Sequence, residues 1–121
     1  MPKRSTVEAF AAMVESGDYV GAIEKYYTPD ASMQENIDQP RKGRVVLAEG
    51  ERRVMSRNKS IKARRLSSIL IEGDEVAIRW RFEFTGLDGS SRTMEEVAWQ
   101  KWRGEQVFEE QFFYDPKQIR G

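Results

Sequence analysis

The sequence predicts an α+β fold: three helices in the N-terminal half, wrapped by a curved antiparallel sheet into a cone with an apolar interior. Three observations lead there. Residues 76–85, VAIRWRFEFT, alternate strictly, with Val76, Ile78, Trp80, Phe82 and Phe84 in one phase and Ala77, Arg79, Arg81 and Glu83 in the other. That is the period of a strand with one buried face. Helical spacing is confined to the first half of the chain, and strand-like segments joined by Gly-containing turns fill the second. The chain has 121 residues, 39% hydrophobic and 11% aromatic, which suits one domain over 1–121 with one core. A long antiparallel meander has to bury one face, and the three helices are what can cover it.

The elements follow in order. Ser5-Thr6-Val7-Glu8 has capping-box spacing, a hydroxyl followed three residues later by Glu. Val7, Phe10, Ala11 and Val14 then form the stripe of a first helix, which Gly17 ends. Asp18 caps a second helix with Val20, Ile23 and Tyr27 on one stripe, and Pro29-Asp30 stops it. Residues 31–37 read as the first strand and 38–43 as a loop. A third helix over 44–57 is weakened by Gly50. A strand over 60–72 turns at Glu72-Gly73-Asp74-Glu75 into the strand 76–85. Leu87-Asp88-Gly89-Ser90 is a hairpin turn, 92–102 a strand, Arg103-Gly104-Glu105 a turn and 106–114 the last strand.

Composition narrows the chemistry. There is no cysteine, so neither a disulfide framework nor a thiolate nucleophile exists. There is no histidine, which excludes Ser-His-Asp and Cys-His catalysis and His-ligated zinc. Acid–base work falls to Asp, Glu, Tyr or Lys. Net charge is zero, yet residues 41–65 hold ten basic residues against two acidic ones, a local +8. That stripe lacks interleaved aromatics for base stacking, so it reads as a solvated face rather than a nucleic-acid site. No apolar run approaches the roughly 20 residues of a membrane span, and the start MPKRSTVEAF lacks the apolar core of a signal peptide. The expectation is a cytoplasmic protein.

Two carboxylates fall in apolar phases. In ASMQENID, residues 31–38, Ser32, Gln34 and Asn36 share one face, and Glu35 lies with Met33 and Ile37 on the other. In the last strand, VFEEQFFY, Glu110 is the only polar break among Phe108, Phe112 and Tyr114. Carboxylates are seldom buried without cause, and desolvation or a close like charge raises their pKa. If both phases face the cone, Glu35 and Glu110 share one cavity and can act as base and acid near neutral pH.

Beside this reading stands a resemblance. The phrases GDYVGAIEKYYTPDASMQEN, GRVVLAEG, IEGDEVAIRWRFEFTG and VFEEQFFYDP are similar to the NTF2-like superfamily, of cystatin-like fold, and within it to SnoaL-like polyketide cyclases and ketosteroid isomerases. The resemblance runs from about residue 5 to 116. It implies a cone of sheet around three helices, often paired into a homodimer through the sheet. Its members include isomerases, cyclases, dehydratases, epoxide hydrolases and binders without chemistry. By the resemblance, Glu35 falls where ketosteroid isomerases place their aspartate base, while their oxyanion donors align with Phe10 and near Ala98 and are lost. Ketosteroid isomerase is the standard case of such a neutral acid donor. The cyclases' histidine and acid align with Glu110 and Phe112.

The expected function is therefore binding of a small apolar carbonyl compound, with Glu35 abstracting a proton and a neutral Glu110 as partner acid. Isomerisation, aldol cyclisation or dehydration would follow, with no metal or organic cofactor implied. Tyr27, Met33, Trp80, Phe82, Gln100, Phe112 and Tyr114 are the expected ligand-binding residues, with Tyr114, Tyr26, Tyr27 and the Trp80 indole as replacement donors. Gln100 shares its phase with Glu96 and Ala98, which leaves Val97 and Trp99 for the outer face and a dimer interface. The alternatives are a binding module without chemistry and epoxide hydrolysis. The latter uses two acids and an arginine inside the cone, whereas Arg79 and Arg81 read as outward.

Overall fold

The computed structural model describes residues 1–120, with side chains through residue 118. Its elements are α1 (Arg4–Glu15), α2 (Tyr19–Tyr26), β1 (Tyr27–Glu35), β2 (Arg41–Lys42), α3 (Arg44–Ser56), β3 (Asn58–Arg65), β4 (Leu70–Glu72), β5 (Glu75–Gly86), β6 (Ser91–Arg103), β7 (Gln106–Phe113) and α4 (Lys117–Arg120). The strands form one curved, unclosed sheet ordered β2-β1-β7-β6-β5-β3, with β4 also on β5. The long helices pack into its concave side, as the α+β reading expects. The sheet is mixed rather than antiparallel, because β1 runs parallel to β7. No hairpin joins these two strands: most of the chain intervenes, so no turn fixes their relative direction.

Local chemistry explains most elements, and tertiary contacts explain the departures. Val7, Phe10 and Ala11 of α1 are buried, but the helix begins at Arg4 and has no side-chain cap of its own. Its cap comes from the β6–β7 turn. The Lys3 N–H donates to both Glu105 carboxylate oxygens at 3.1 Å, and the Thr6 hydroxyl donates to Glu105 Oε1 at 2.6 Å. A carboxylate at a helix N-terminus satisfies orphan N–H groups and suits the dipole. Asp18 does cap α2, accepting the Gly21 N–H at 3.0 Å. Tyr19, Ala22, Ile23 and Tyr26 form its buried stripe; Tyr27 is already extended and opens β1, which contains Pro29.

Three strand readings need correction. The expected strand over 60–72 is broken into β3 and β4, because the chain turns Ile69 into the core. β1 ends at Glu35, because Asn36 takes a left-handed φ of 50° and turns the chain; Ile37 is then 90% exposed. Asn tolerates that conformation better than other non-glycine residues. In β7, Trp102 opposes Val107 and Lys101 opposes Glu109, so Phe108 is a bulge. Val107 therefore enters the core, and Phe108 instead lies under Arg103, 4.7 Å from guanidinium to ring. The phase of Glu110 and Phe112 lies beyond the bulge and is unchanged. An unanticipated short helix, α4, follows β7, and Gln118 exchanges hydrogen bonds with the Glu95 backbone at 2.8 and 2.9 Å.

The narrow end of the cone is packed solid around Phe10, whose ring meets those of Tyr26, Tyr27 and Trp102 at 5.6–6.0 Å between centroids. Arg65 of β3 ties α1 to the sheet through Glu8 and Glu15, which hold its guanidinium from two turns of the helix. Beyond this packed apex, with Phe10 and Tyr27 at its floor, a cavity opens at the wide end.

Candidate functional site

The wide end encloses a cavity of about 280 Å³, at the small end of the roughly 300–1,000 Å³ typical of ligand pockets. Trp80 and Phe82 of β5, Met94 of β6, Phe112 of β7 and Met33 of β1 make the sheet wall, and Ile23 and Val54 face them from the helices. The strand register aligns these side chains. Met33 stands opposite Glu110, Glu35 opposite Phe112, Trp80 opposite Glu96 and Phe82 opposite Met94. Side chains directly opposite in adjacent strands point the same way, so one concave face gathers Glu35, Glu96 and Glu110.

Glu35 sits at the rim, its side chain 35% exposed. Arg41 Nη2 bonds its Oε2 at 3.3 Å, and the Tyr114 hydroxyl donates to its Oε1 at 3.3 Å. The turn at Asn36 sets this arrangement. Asn36 N–H donates to the Phe112 carbonyl at 2.7 Å, and Asn36 Oδ1 accepts the Tyr114 N–H at 3.0 Å, which brings Tyr114 back over Glu35. Burial raises the Glu35 pKa; Arg41 and the Tyr114 bond pull it down, and Asp38 adds a smaller upward push. Burial and Glu35 push the Tyr114 hydroxyl up to about 12, so it remains a donor.

Glu110 is deeper, 4% exposed. One oxygen accepts the Tyr27 hydroxyl and the other the Gln100 amide at 2.6 Å. Gln100 is itself held by the Trp102 indole N–H at 3.0 Å. Burial pushes Glu110 up to about 7, against the two bonds that favour its anion; Glu35 and Glu51 add to the rise. Glu96 of β6 is 7% exposed, and its Oε2 is buried with no hydrogen-bond partner among the described residues. Burial pushes it up to about 9, with Glu35, Glu110 and Glu51 adding in that order. Burial and the neighbouring acids thus favour the protonated form of Glu96, while two hydrogen bonds favour the anion of Glu110.

Of the residues read from the sequence, Glu35, Glu110, Tyr27, Met33, Trp80, Phe82, Phe112 and Tyr114 all border the cavity. Gln100 does not; it lies sealed behind Glu110, fully buried, and acts on the cavity only through that carboxyl. Tyr26 packs in the apex, on Phe10, and not on the cavity. Four charged bordering residues were not among the expected site residues: Glu96, Glu51, Arg41 and Arg92. Glu96 carried the same signal as the other two acids, since it breaks the buried phase Met94, Ala98, Gln100, Trp102. Glu51 falls on the stripe of Leu47 and Ala48 in α3. Arg41 gave no signal, because its strand of two residues exists only by pairing with β1.

The sequence profile of the SnoaL-like domain matches residues 7–110. Comparison with curated proteins finds no match. Among solved structures, the chain is similar to a Mesorhizobium loti protein assigned as a SnoaL-like polyketide cyclase, with 23% identity, 94% of this chain and 100% of that one covered, and a TM-score of 0.78. A Jannaschia protein of the same assignment aligns at 13% identity over 99% and 92% of the two chains, with a TM-score of 0.81. A Catenulispora acidiphila protein with a ketosteroid isomerase-like fold, solved with trimethylamine, aligns at 17% identity over 97% and 90%, with a TM-score of 0.80. These likenesses are of fold. The profile match spans most of the chain and agrees with the cone of sheet around helices: the chain belongs to the SnoaL-like domain family.

Proposed function

We propose that the cavity binds a small apolar carbonyl compound and enolises it. The Glu35 carboxylate takes a proton from the carbon beside the carbonyl. The C–H electron pair becomes the C=C bond, and the carbonyl π pair moves to oxygen. Glu96 is the better-placed acid to meet that oxygen, because both oxygens of Glu110 already accept hydrogen bonds. Burial first, then the like charges of Glu35 and Glu110, favour the protonated form of Glu96. The observation that carries the reading is a rim carboxylate and, on the same apolar cavity, a buried carboxyl oxygen with no hydrogen-bond partner among the described residues. Burial makes Glu35 a stronger base than a solvated carboxylate. Family membership and the likeness to proteins assigned as cyclases support the reaction class. Isomerisation, aldol cyclisation and dehydration all begin this way.

The test is deuterium uptake at carbon by a panel of cyclic ketones in heavy water, followed by NMR. Glu35→Gln is expected to slow exchange by about 10²-fold or more, the usual worth of a positioned base. Undiminished exchange means that Glu35 is not the base. If the wild type catalyses no exchange with any ketone yet binds them, the cavity is a binding module.

Epoxide hydrolysis is the second reading, favoured by Arg41. It stands beside Glu35 and lowers the pKa of both Glu35 and Glu51, so two acids and an arginine do meet at the rim. Diol formation from an apolar epoxide would identify it. As for assembly, a row of Leu70, Ala77 and Trp99 crosses the convex face of the sheet, with Val97 and Phe113 paired beside it. A second copy of the chain is the proposed cover for this row.

A further inference from the structure

The cavity holds more carboxyl groups than one enolisation uses. Glu35, Glu51, Glu96 and Glu110 all border it, against Arg41 and Arg92. Both arginines belong to the rim: Arg41 is tied to Glu35, and exposed Arg92 lies over the Phe84 ring at 5.0 Å. The inner pair, Glu96 and Glu110, makes no ion pair among the described residues, and Glu110 takes only neutral donors. Glu96 has a buried oxygen with no hydrogen-bond partner among the described residues. It stands directly across the strand pair from Trp80, whose ring is 6.0 Å from that of Phe82. An unpaired carboxyl beside an indole in an apolar pocket is chemistry suited to an ammonium group: the ring face attracts the cation, and the carboxylate compensates its charge.

We propose that this cavity is a receptor for a small organic cation, an ammonium group on an apolar body, docked against Glu96 with Trp80 and Phe82 as its walls. This goes beyond the carbonyl chemistry and does not depend on turnover. Glu35 and Glu51 have Arg41 to compensate their charge, whereas Glu96 and Glu110 do not, so burial favours protons on this inner pair. A bound cation supplies the charge that the proton supplied, and Glu96 releases its proton as the cation docks. The groups facing Glu96 favour a positive charge beside it, whether proton or docked cation. Glu110 on β7, Glu35 on β1 and Glu51 on α3 all raise its proton affinity, and the same negative potential attracts the cation. Tyr27 and Tyr114 remain neutral donors to the other acids. A cation and a carbonyl compound would compete for one wall, so the cation would also inhibit any enolisation.

The test is calorimetric titration of the wild-type protein with choline and with its uncharged isostere 3,3-dimethyl-1-butanol, from about pH 6 to about pH 9.5. Choline keeps its charge throughout, so any pH dependence belongs to the protein. Its affinity is expected to rise with pH, by up to about tenfold per unit where one proton is displaced, and to level off where Glu96 loses its proton unaided. The alcohol is expected to bind more weakly and without pH dependence. Glu96→Gln should flatten the choline profile above about pH 8, clear of the Glu110 titration, and circular dichroism checks that the variant is folded. Three results would overturn the proposal in the wild type: choline binding no better than the alcohol, choline binding independent of pH, or no binding of either. A pH slope that survives above about pH 8 in Glu96→Gln would overturn Glu96 as the docking group.

Discussion

Glu96 shows at the scale of one residue how burial turns into pH dependence. Its folded pKa, pushed up to about 9, lies above the ordinary carboxyl value, so the folded state binds the proton more tightly than the unfolded chain. Its contribution to stability is complete below the unfolded pKa, and it is lost as pH rises from about 4.5 through about 9. We expect Glu96→Gln to match the wild type near pH 5 and to be more stable by about 1–3 kcal/mol at pH 9, where the wild type must bury a charge or take up a proton. Denaturant unfolding at the two pH values measures this, and a gap that does not widen with pH removes Glu96 from the buried acids. At Glu110 the donors work in the opposite direction. Tyr27→Phe removes a bond to the anion, so we expect the Glu110 carboxyl to titrate higher than in the wild type, read by carbon-13 NMR. Glu35 and Glu110 were legible because an acid in an apolar phase breaks a period of two. Glu96 obeyed the same rule, but the phase of its strand could not be chosen from sequence: Val97, Trp99 and Ala98, Trp102 make both faces apolar.

At the scale of the element, the two helix starts make a pair. Asp18 caps α2 from within its own sequence, and we expect Asp18→Ala to cost about 1 kcal/mol. The Asp18 carboxylate also occupies the space that a Cβ on Gly21 would need. Gly21→Ala alone therefore has to displace the cap, and its gain in helix propensity is offset. In an Asp18→Ala background that conflict is gone, and Gly21→Ala should stabilise by about 1 kcal/mol. Thermal unfolding of the two singles and the double checks the coupling; simple additivity would mean the carboxylate moves aside freely. The α1 cap was not legible, since Glu105 lies far along the chain and reaches Lys3 and Thr6 only once β6 and β7 are in place. The bulge at Phe108 was hidden for a related reason. VFEEQFFY reads equally well in one phase throughout, and only pairing against β6 shows which residue is extra.

For the whole molecule, the same sheet serves two purposes. Its concave face makes the cavity, and its convex face carries Leu70, Trp99 and Phe113 at 67%, 46% and 43% exposure. Large exposed apolar side chains gathered on one face suit a twofold, self-complementary contact. We expect the protein to sediment as a dimer and Trp99→Glu to sediment as a monomer that keeps its cavity; a monomeric wild type would leave this face to another partner. Part of the basic segment 41–65 pairs with acids of the same chain, Arg41 with Glu35, Arg52 with Glu24 and Glu49, and Arg65 with Glu8 and Glu15. No helix among the described residues is long and apolar enough to cross a membrane. By itself, the sequence determined the class of fold, most of its elements and two of the three sheet-borne acids of the cavity, because helices and strands impose their periods locally and an acid out of phase is visible. Only the tertiary structure decided that β1 runs parallel to β7, that Glu96 rather than Glu110 lacks a partner, and that Arg41 reaches the rim. Those facts depend on which strands pair and in what register, and on which donors that pairing brings within hydrogen-bond distance.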